Sequence, residues 1–258
     1  MNRPEPFRAL LAGAALPALI LFGWEAASRT GLANAFLLPS PVAVLRAAME
    51  MARSGELLRD VGASAGRVAI GFVATVATAV PLAALLVRFE AVERLLRFPL
   101  DFLRATPPLA VLPLLVLWFG IGEAAKWAVI VLAAFFPVLL NTVAGLRGVP
   151  PRLLEMARSL DLSPAERLRF VVLPAALPVF VAGLRLAFSN CWRALVGAEL
   201  IATSVGLGFL VMDSQAIART DRVYAGILVI GTLGFLADYG FLALARLFPG
   251  GRSAHAAD

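Results

Sequence analysis

Long runs of apolar residues, separated by short segments that contain arginine, dominate the pattern of this chain. Most runs are close to the roughly 20 residues that a helix needs to cross a bilayer. They lack the strict alternation of apolar and polar residues that marks the strands of a membrane β-barrel. We therefore predict an all-α, polytopic membrane protein with about six membrane-spanning helices. The predicted spans are Ala9–Trp24, Val68–Val87, Ala105–Gly122, Trp127–Leu146, Ala176–Val196 and Tyr224–Phe248.

Two of these runs allow more than one interpretation. The run Ala9–Trp24 follows a short basic segment, as the apolar part of a signal peptide would, but no small-residue cleavage site precedes Glu25. We interpret it as the first span, with the amino terminus in the cytoplasm. The run Ala105–Gly122 contains Pro107 and Pro108, and proline removes a backbone donor from a helix. We therefore expect a kink in the third span.

The segment Pro150–Pro178, here called the elbow, places charged residues between the fourth and fifth predicted spans. Apolar residues in its first half recur at helical spacing, which predicts a short amphipathic helix. A second short helix is predicted to begin after Ser163, because Ser163 and Glu166 have the spacing of a capping box. The two helices would meet at Asp161. The pattern favours a docking surface over a span.

Composition supports the membrane class and removes several others. The chain is 60% hydrophobic with a mean hydropathy of +0.87, which is far too apolar for a soluble domain. A cytoplasmic bias of arginines explains the net charge of +6, and no basic cluster with interleaved aromatic residues indicates nucleic acid. The single Cys191 excludes an internal disulfide, and the single His255 excludes a histidine metal site. We expect no metal and no cofactor.

Arginine distribution predicts the orientation. With the amino terminus inside, the short cytoplasmic connections carry more arginines than the outer ones. This bias places both termini and the elbow in the cytoplasm. A further amphipathic segment, Val42–Ala52, is predicted to form a helix that lies at the outer interface.

The elbow resembles the cytoplasmic loop of bacterial ABC importer permeases, which reads E-A-A, three residues, G, nine residues, I-x-L-P. Glu155-Met156-Ala157, Asp161 and Val171-Val172-Leu173-Pro174 stand at the same spacings. Met156 replaces an alanine, and Asp161 replaces the glycine. Aspartate is among the few residues that tolerate left-handed turn geometry, so the second replacement is compatible with a turn.

Further motifs extend the resemblance over roughly Leu38 to Arg246. They are Leu38–Pro41, Ser64 with Arg67, Gly71–Phe72, Leu103–Pro107, Leu117–Glu123, Asn141–Thr142, Gly183–Arg185, Trp192, Ala198–Glu199 and Gly206–Gly208. Together they resemble the nitrate/sulfonate/taurine-type importer permeases. This resemblance implies a type I ABC importer permease fold in the bacterial inner membrane. It also implies one transmembrane domain over residues 1–258, with a core of about 60–246 and a coupling loop of about 148–175.

The resemblance further implies a permease homodimer in membrane lipid, with two kinds of partner. These are a dimer of cytoplasmic ATP-binding subunits and a periplasmic or lipid-anchored substrate-binding protein. The chain itself has no G-x-x-x-x-G-K-[ST] loop, and Gly206-Leu207-Gly208 lacks the third glycine of a dinucleotide site. We therefore expect a non-catalytic subunit whose partner hydrolyses ATP.

Two groups of residues are the candidate sites. The predicted ATPase-coupling surface comprises Leu153, Glu155, Met156, Ala157, Leu160, Asp161, Leu173 and Pro174. Charged and polar residues inside a span are candidates for a functional site, because they are costly in lipid. On that ground the predicted translocation path comprises Arg185, Ser189, Asn190, Trp192, Arg193 and Glu199. For Arg185 and Glu199, the structural alternative is a packing ion pair or a side chain that snorkels to the membrane boundary. Ser189 and Asn190 could instead form hydrogen bonds that hold helices together.

The expected solute is nitrate, a sulfonate, taurine or a related anion, with Arg185 and Arg193 as positive charges along the path. Three alternatives remain open. The same class of permease could import an uncharged heterocyclic vitamin precursor. An intramembrane enzyme would need catalytic acids, for which Glu25 and Asp238 are available near spans. A passive channel is disfavoured, because a channel needs no surface for an ATPase.

Overall fold

In the computed structural model, residues 6–31, 34, 36–201 and 203–246 are described, and the side chains of residues 6–14, 242 and 244–246 are not. Within these ranges the regular structure is entirely helical. The α-helices are α1 (Pro6–Arg29), α2 (Pro41–Arg53), α3 (Glu56–Arg88), α4 (Glu90–Ala105), α5 (Leu112–Phe119), α6 (Glu123–Arg147), α7 (Pro151–Ser159), α8 (Pro164–Arg167), α9 (Leu173–Glu199), α10 (Leu207–Ala216) and α11 (Thr220–Arg246). A 3₁₀ turn (Pro108–Val111) precedes α5, and a π-helical turn (Leu168–Val172) joins α8 to α9.

Helices α3, α6 and α9 form the centre of the bundle, with α6 packed against both of the others. Small side chains at these contacts are fully buried, including Ala83 of α3, Ala134 of α6 and Ala187 of α9. Gly183 of α9 lies so close to Asn141 of α6 that a Cβ on the glycine would stand 2.4 Å from the asparagine Cβ. Helices in lipid associate through such close backbone approaches, because apolar surface alone gains nothing by leaving lipid for protein.

Four helices in the described ranges are long and apolar enough to cross a membrane. They are Glu56–Arg88, Glu123–Arg147, Pro164–Glu199 and Thr220–Phe241. Their apolar segments correspond to the second, fourth, fifth and sixth predicted spans, the last as far as it is described. The prediction of helical membrane spans is confirmed for these four.

The third predicted span, Ala105–Gly122, is not the single kinked helix that we expected. Helix α4 meets the next helical piece, which consists of the 3₁₀ turn and α5 (Pro108–Phe119), at an angle of 91°. The two pieces therefore form a broken span or a re-entrant loop. Thr106 adopts an extended conformation (φ −82°, ψ 123°), which is the geometry that a following proline imposes. Pro107 and Pro108 then lack the N–H groups that would continue the helix.

The first predicted span, Ala9–Trp24, lies within α1, but its side chains up to residue 14 are outside the described part of the chain. The spanning character of α1 therefore stays a prediction. Its carboxyl end is fixed to the bundle, because the Trp24 indole donates to the Pro39 carbonyl (2.9 Å) and its ring lies 5.7 Å from that of Tyr224.

Helix α2 forms where the amphipathic segment Val42–Ala52 was predicted. Ser40 caps it by accepting from the Ala43 N–H (3.2 Å), and Pro41 occupies its first turn. Its apolar face packs on protein, because Val44 and Met51 are buried in a cluster with Leu210. The helix is thus an integral part of the bundle.

Candidate functional site

The elbow begins with helix α7, which projects between the ends of α6 and α9. Pro151 occupies the first turn of α7, where its missing N–H costs nothing. Helix α6 ends at Arg147, whose guanidinium pairs with the Glu93 carboxylate of α4 (2.5 and 2.9 Å). This ion pair ties the end of α6, which precedes α7, to α4.

Helix α7 ends in a Schellman motif around Asp161. The Leu162 N–H donates to the Ala157 carbonyl (3.2 Å), and the Asp161 N–H donates to the Arg158 carbonyl (3.0 Å). Asp161 has a φ of 49°, in the left-handed region where this motif usually carries glycine. The expected tolerance of aspartate for this geometry is confirmed.

The second helix of the elbow has the predicted capping box. The Ser163 hydroxyl accepts from the Glu166 N–H (3.4 Å), while the Glu166 carboxylate accepts from the Ser163 N–H (2.8 Å). We had predicted a short helix here, and that prediction was wrong. The helix continues through the π-helical turn into α9 and forms a single 36-residue helix, Pro164–Glu199. The elbow is therefore one short helix folded against the first turns of a span.

The predicted coupling residues fall on both faces of the elbow. Met156 (52% exposed), Leu160 (64%) and Leu173 (50%) present apolar side chains to the outside. Glu155, Asp161 and Pro174 are exposed as well, while Leu153 is partly buried. Ala157 is fully buried within the chain, so it lies on the inner face of α7 and is not available for contact with a partner in this structure.

At the opposite end of the bundle lies a group of charged and polar side chains, here called the Glu199 cluster. It comprises Asp60, Ser64, Arg67, Lys126 and Glu199, which are buried, and Glu123, which is partly open to the outside. The Glu199 carboxylate accepts from the Ser64 hydroxyl (2.8 and 2.9 Å), from Arg67 Nη1 (2.6 Å) and from the Gly208 N–H (3.0 Å). Its side chain has no exposed surface. Glu199 therefore has the structural partners that we had named as its alternative.

Arg67 holds three helices and a loop together. Its guanidinium makes a bidentate pair with Glu123 (2.8 and 2.9 Å), and its Nη1 also reaches Glu199 and the Val205 carbonyl (both 2.6 Å). Lys126 donates to Glu123 (2.7 Å) and to the Thr203 hydroxyl (3.1 Å). A bidentate guanidinium–carboxylate pair is among the strongest hydrogen-bonded ion pairs.

The sequence Gly206-Leu207-Gly208 wraps around this cluster. The first N–H groups of α10 donate to side chains of other helices: Gly206 to Asp60 (3.2 Å), Leu207 to Ser64 (3.0 Å) and Gly208 to Glu199. Gly206 has a φ of 133°, and a Cβ there would lie 2.4 Å from the Glu199 carboxylate. The segment is thus a tightly enclosed turn.

The remaining path candidates lie on different faces of α9. Arg185 pairs with Asp238 of α11, at 2.6 and 2.7 Å, and the Trp192 indole donates to the Ile230 carbonyl of α11 (3.2 Å). Ser189 is partly buried. Asn190 and Arg193 face the other way, towards a cavity of about 430 Å³.

That cavity lies where the bend between α4 and α5 meets α6 and α9. Arg104 and Thr106 line it from the bend, and Asn190 and Arg193 line it from α9. Sequence reasoning assigned no function to Arg104 and Thr106, although both stand in the Leu103–Pro107 motif. Their proximity to α9 depends on the break at the prolines, which the sequence suggested only as a kink.

Comparisons with known proteins agree with this arrangement. A family model described as "Binding-protein-dependent transport system inner membrane component" matches residues 69–248. A Bacillus subtilis protein named as an aliphatic sulfonates transport permease is 38% identical over 226 residues, which is 88% of this chain and 82% of that protein. The taurine transport system permease protein of Escherichia coli is 37% identical over 234 residues, which is 89% of this chain and 85% of that protein.

A solved structure shares the fold. A chain of the MetNI methionine ABC transporter, in inward-facing conformations, matches with a TM-score of 0.65 and 18% identity, over 75% of this chain and 96% of that one. The helical bundle is therefore the type I ABC importer permease fold that we predicted. From the matches in sequence we conclude that this chain belongs to the family of binding-protein-dependent transport system inner membrane components.

Proposed function

We propose that this chain is the permease subunit of an ATP-driven importer and that its elbow docks on a cytoplasmic ATP-binding subunit. The observation that carries the proposal is the elbow itself. The backbone groups at its turn are hydrogen-bonded in a Schellman motif and a capping box, whereas the side chains of Met156 and Leu160 are exposed. A rigid helix that presents apolar anchors is suited to binding in a groove of another protein.

In the complete transporter, two copies of the chain form the translocation path, and a pair of ATP-binding subunits covers the two elbows. A periplasmic or lipid-anchored binding protein delivers the solute to the opposite end. Arginines on the elbow, among them Arg152, Arg158 and Arg169, support a cytoplasmic position for it. On this orientation both termini are cytoplasmic, and the Glu199 cluster faces the outside.

The proposed solute is a small anion of the sulfonate or taurine kind. Relatives at 37–38% identity are named for aliphatic sulfonates and taurine. Within the described ranges, Arg193 faces the cavity without a carboxylate partner, a position more favourable for an anion than for an uncharged heterocycle. We therefore prefer the anion to an uncharged vitamin precursor.

Reconstitution in liposomes tests this function. The chain, its ATP-binding subunit and its binding protein should take up a labelled alkanesulfonate only when ATP is supplied on the elbow side. Leu160→Asp should abolish uptake and the co-purification of the ATP-binding subunit, because a charge replaces an exposed apolar anchor.

The matched control is Leu95→Asp, which places the same charge at another exposed leucine, on α4 (76% exposed). This variant should retain the ATP-binding subunit. ATP-independent uptake would contradict the importer, whereas unchanged co-purification by Leu160→Asp would contradict the docking surface.

A further inference from the structure

The cavity lined by Arg193 lies at mid-height in the bundle. It is bounded by Phe136 and Pro137, near the middle of α6, and by Pro108 and Leu109 at the bend before α5. Leu109 packs closely on α9, since a Cβ at Gly197 would lie 2.6 Å from its Cδ1. The broken helix therefore brings one wall of the cavity against the face of α9 that carries Asn190 and Arg193.

Arg193 is held in place by a neutral group. Its Nη2 donates to the Asn190 side-chain oxygen (2.6 Å), and the Asn190 amide donates to the Ala133 carbonyl of α6 (3.3 Å). No carboxylate in the described ranges pairs with Arg193, in contrast to Arg67 and Arg185. Arg193 is exposed on the cavity side, so its guanidinium can pair with an anion that enters the cavity.

A second cation lies on the same cavity. Arg104 contacts Asp101 at 3.3 Å, and both side chains are more than half exposed, so this pair is weak and water-accessible. Thr106, two residues further on, adds a hydroxyl beside the cavity. The polar lining therefore consists of two guanidinium groups, an amide and a hydroxyl, with no acidic side chain in it.

The remaining lining is apolar. Leucine, alanine, proline and phenylalanine side chains, such as Leu132 and Phe136, form the rest of the wall. A small inorganic anion would lose hydration against such a wall and gain no hydrogen bonds there. An organic anion with an aliphatic chain matches both parts, because its head group pairs with a guanidinium while its methylenes cover the apolar side chains.

We propose that this cavity is a binding site for an organic monoanion with a short aliphatic chain, such as an alkanesulfonate, and that Arg193 pairs with its anionic group. This inference rests on the proposed function, because the cavity would be a binding site along the path of the imported solute. Asn190 is a positioning residue that orients the guanidinium. The volume of about 430 Å³ is within the range of small-molecule sites.

Calorimetric titration tests the site directly. Butanesulfonate is titrated into the complex of permease and ATP-binding subunits in lipid nanodiscs, without binding protein. Wild type should bind it saturably, Arg193→Gln should weaken binding roughly tenfold or more, and Arg193→Lys should restore part of the affinity. From methanesulfonate to butanesulfonate, affinity should rise by roughly two- to fourfold per methylene. Inorganic sulfate should bind more weakly than butanesulfonate.

The control is Arg94→Gln, which removes the same charge from an exposed position on α4 and should leave the affinity unchanged. Absence of saturable binding by wild type, or equal binding by wild type and Arg193→Gln, would overturn the site. Affinity that is independent of chain length would overturn its aliphatic specificity. ATP-dependent uptake by the same complex in liposomes is judged separately, so the importer can stand while the cavity proposal fails.

Discussion

The two ends of the helical bundle differ in which side chains have partners within the chain. At the Glu199 cluster, charged side chains from distant parts of the sequence pair with one another, and all of them except Glu123 are buried. At the elbow, the backbone is satisfied by local caps, while the apolar side chains Met156, Leu160 and Leu173 stay uncovered. The first arrangement is complete within one chain. The second gains from a partner, because exposed apolar anchors on an ordered helix are a surface for association.

The comparison separates structural charges from available surface in a way that residue type alone does not. Glu199 is a charged residue inside a span, and we therefore predicted that it lines the translocation path. In the structure its carboxylate oxygens accept hydrogen bonds from Ser64, Arg67 and the Gly208 N–H. Leu160 would be unremarkable in composition, yet it is 64% exposed beside a rigid turn. Burial and hydrogen-bond partners show which of the two side chains is available to contact another molecule.

The largest expected effect is at the Glu199 cluster. Glu199→Ala should lower the free energy of unfolding by roughly 3–5 kcal/mol, because it leaves the buried Ser64 hydroxyl and Gly208 N–H without their acceptor and removes one of the two carboxylates that pair with Arg67. The measurement is the thermal midpoint and folded yield of the purified protein in detergent. Glu90→Ala is the control, since Glu90 is 84% exposed and lies 3.9 Å from Arg94.

That control should change the free energy of unfolding by less than roughly 0.5 kcal/mol. Equal midpoints for Glu199→Ala and Glu90→Ala would contradict a structural function for the cluster. The two ends of the bundle would then no longer differ as described.

The smallest expected effect is at the turn of the elbow. Asp161→Gly should preserve ATP-dependent uptake and raise stability by at most about 1 kcal/mol, because glycine adopts the observed φ of 49° without steric cost. Asp161→Val is the contrasting variant, since a β-branched residue is strained in this region. The measurement compares uptake rates and thermal midpoints. Higher uptake for the valine variant than for the glycine variant would contradict the Schellman turn.

Sequence reasoning was most successful where the physical signal is local. Apolar run length predicted four of the spans, and the Ser163–Glu166 spacing predicted the capping box that the structure confirms. The position of Asp161 in a left-handed turn also followed from residue type. Each of these features depends on residues that are close together in the chain.

Features that depend on distant residues could not be predicted in the same way. Ser64 and Glu199 are hydrogen-bonded across 135 positions, and no periodicity indicates such a pair. Ala157 shares the apolar stripe of α7 with Leu160, but only the packing shows that Ala157 faces inward. Pro107 and Pro108 indicated a disturbed helix, yet the 91° bend is set by how the two pieces pack on the bundle.

The central claim, that the elbow contacts the ATP-binding subunit and the Glu199 end does not, can be measured by site-specific cross-linking. The natural Cys191 is fully buried, so a single new cysteine at an exposed position carries the reaction. Met156→Cys places the thiol on the elbow, and Ser204→Cys places it on the exposed loop at the other end. A short thiol–amine reagent is applied to the assembled transporter. We predict cross-links to the ATP-binding subunit from Met156→Cys alone, whereas cross-links from Ser204→Cys alone would contradict this account.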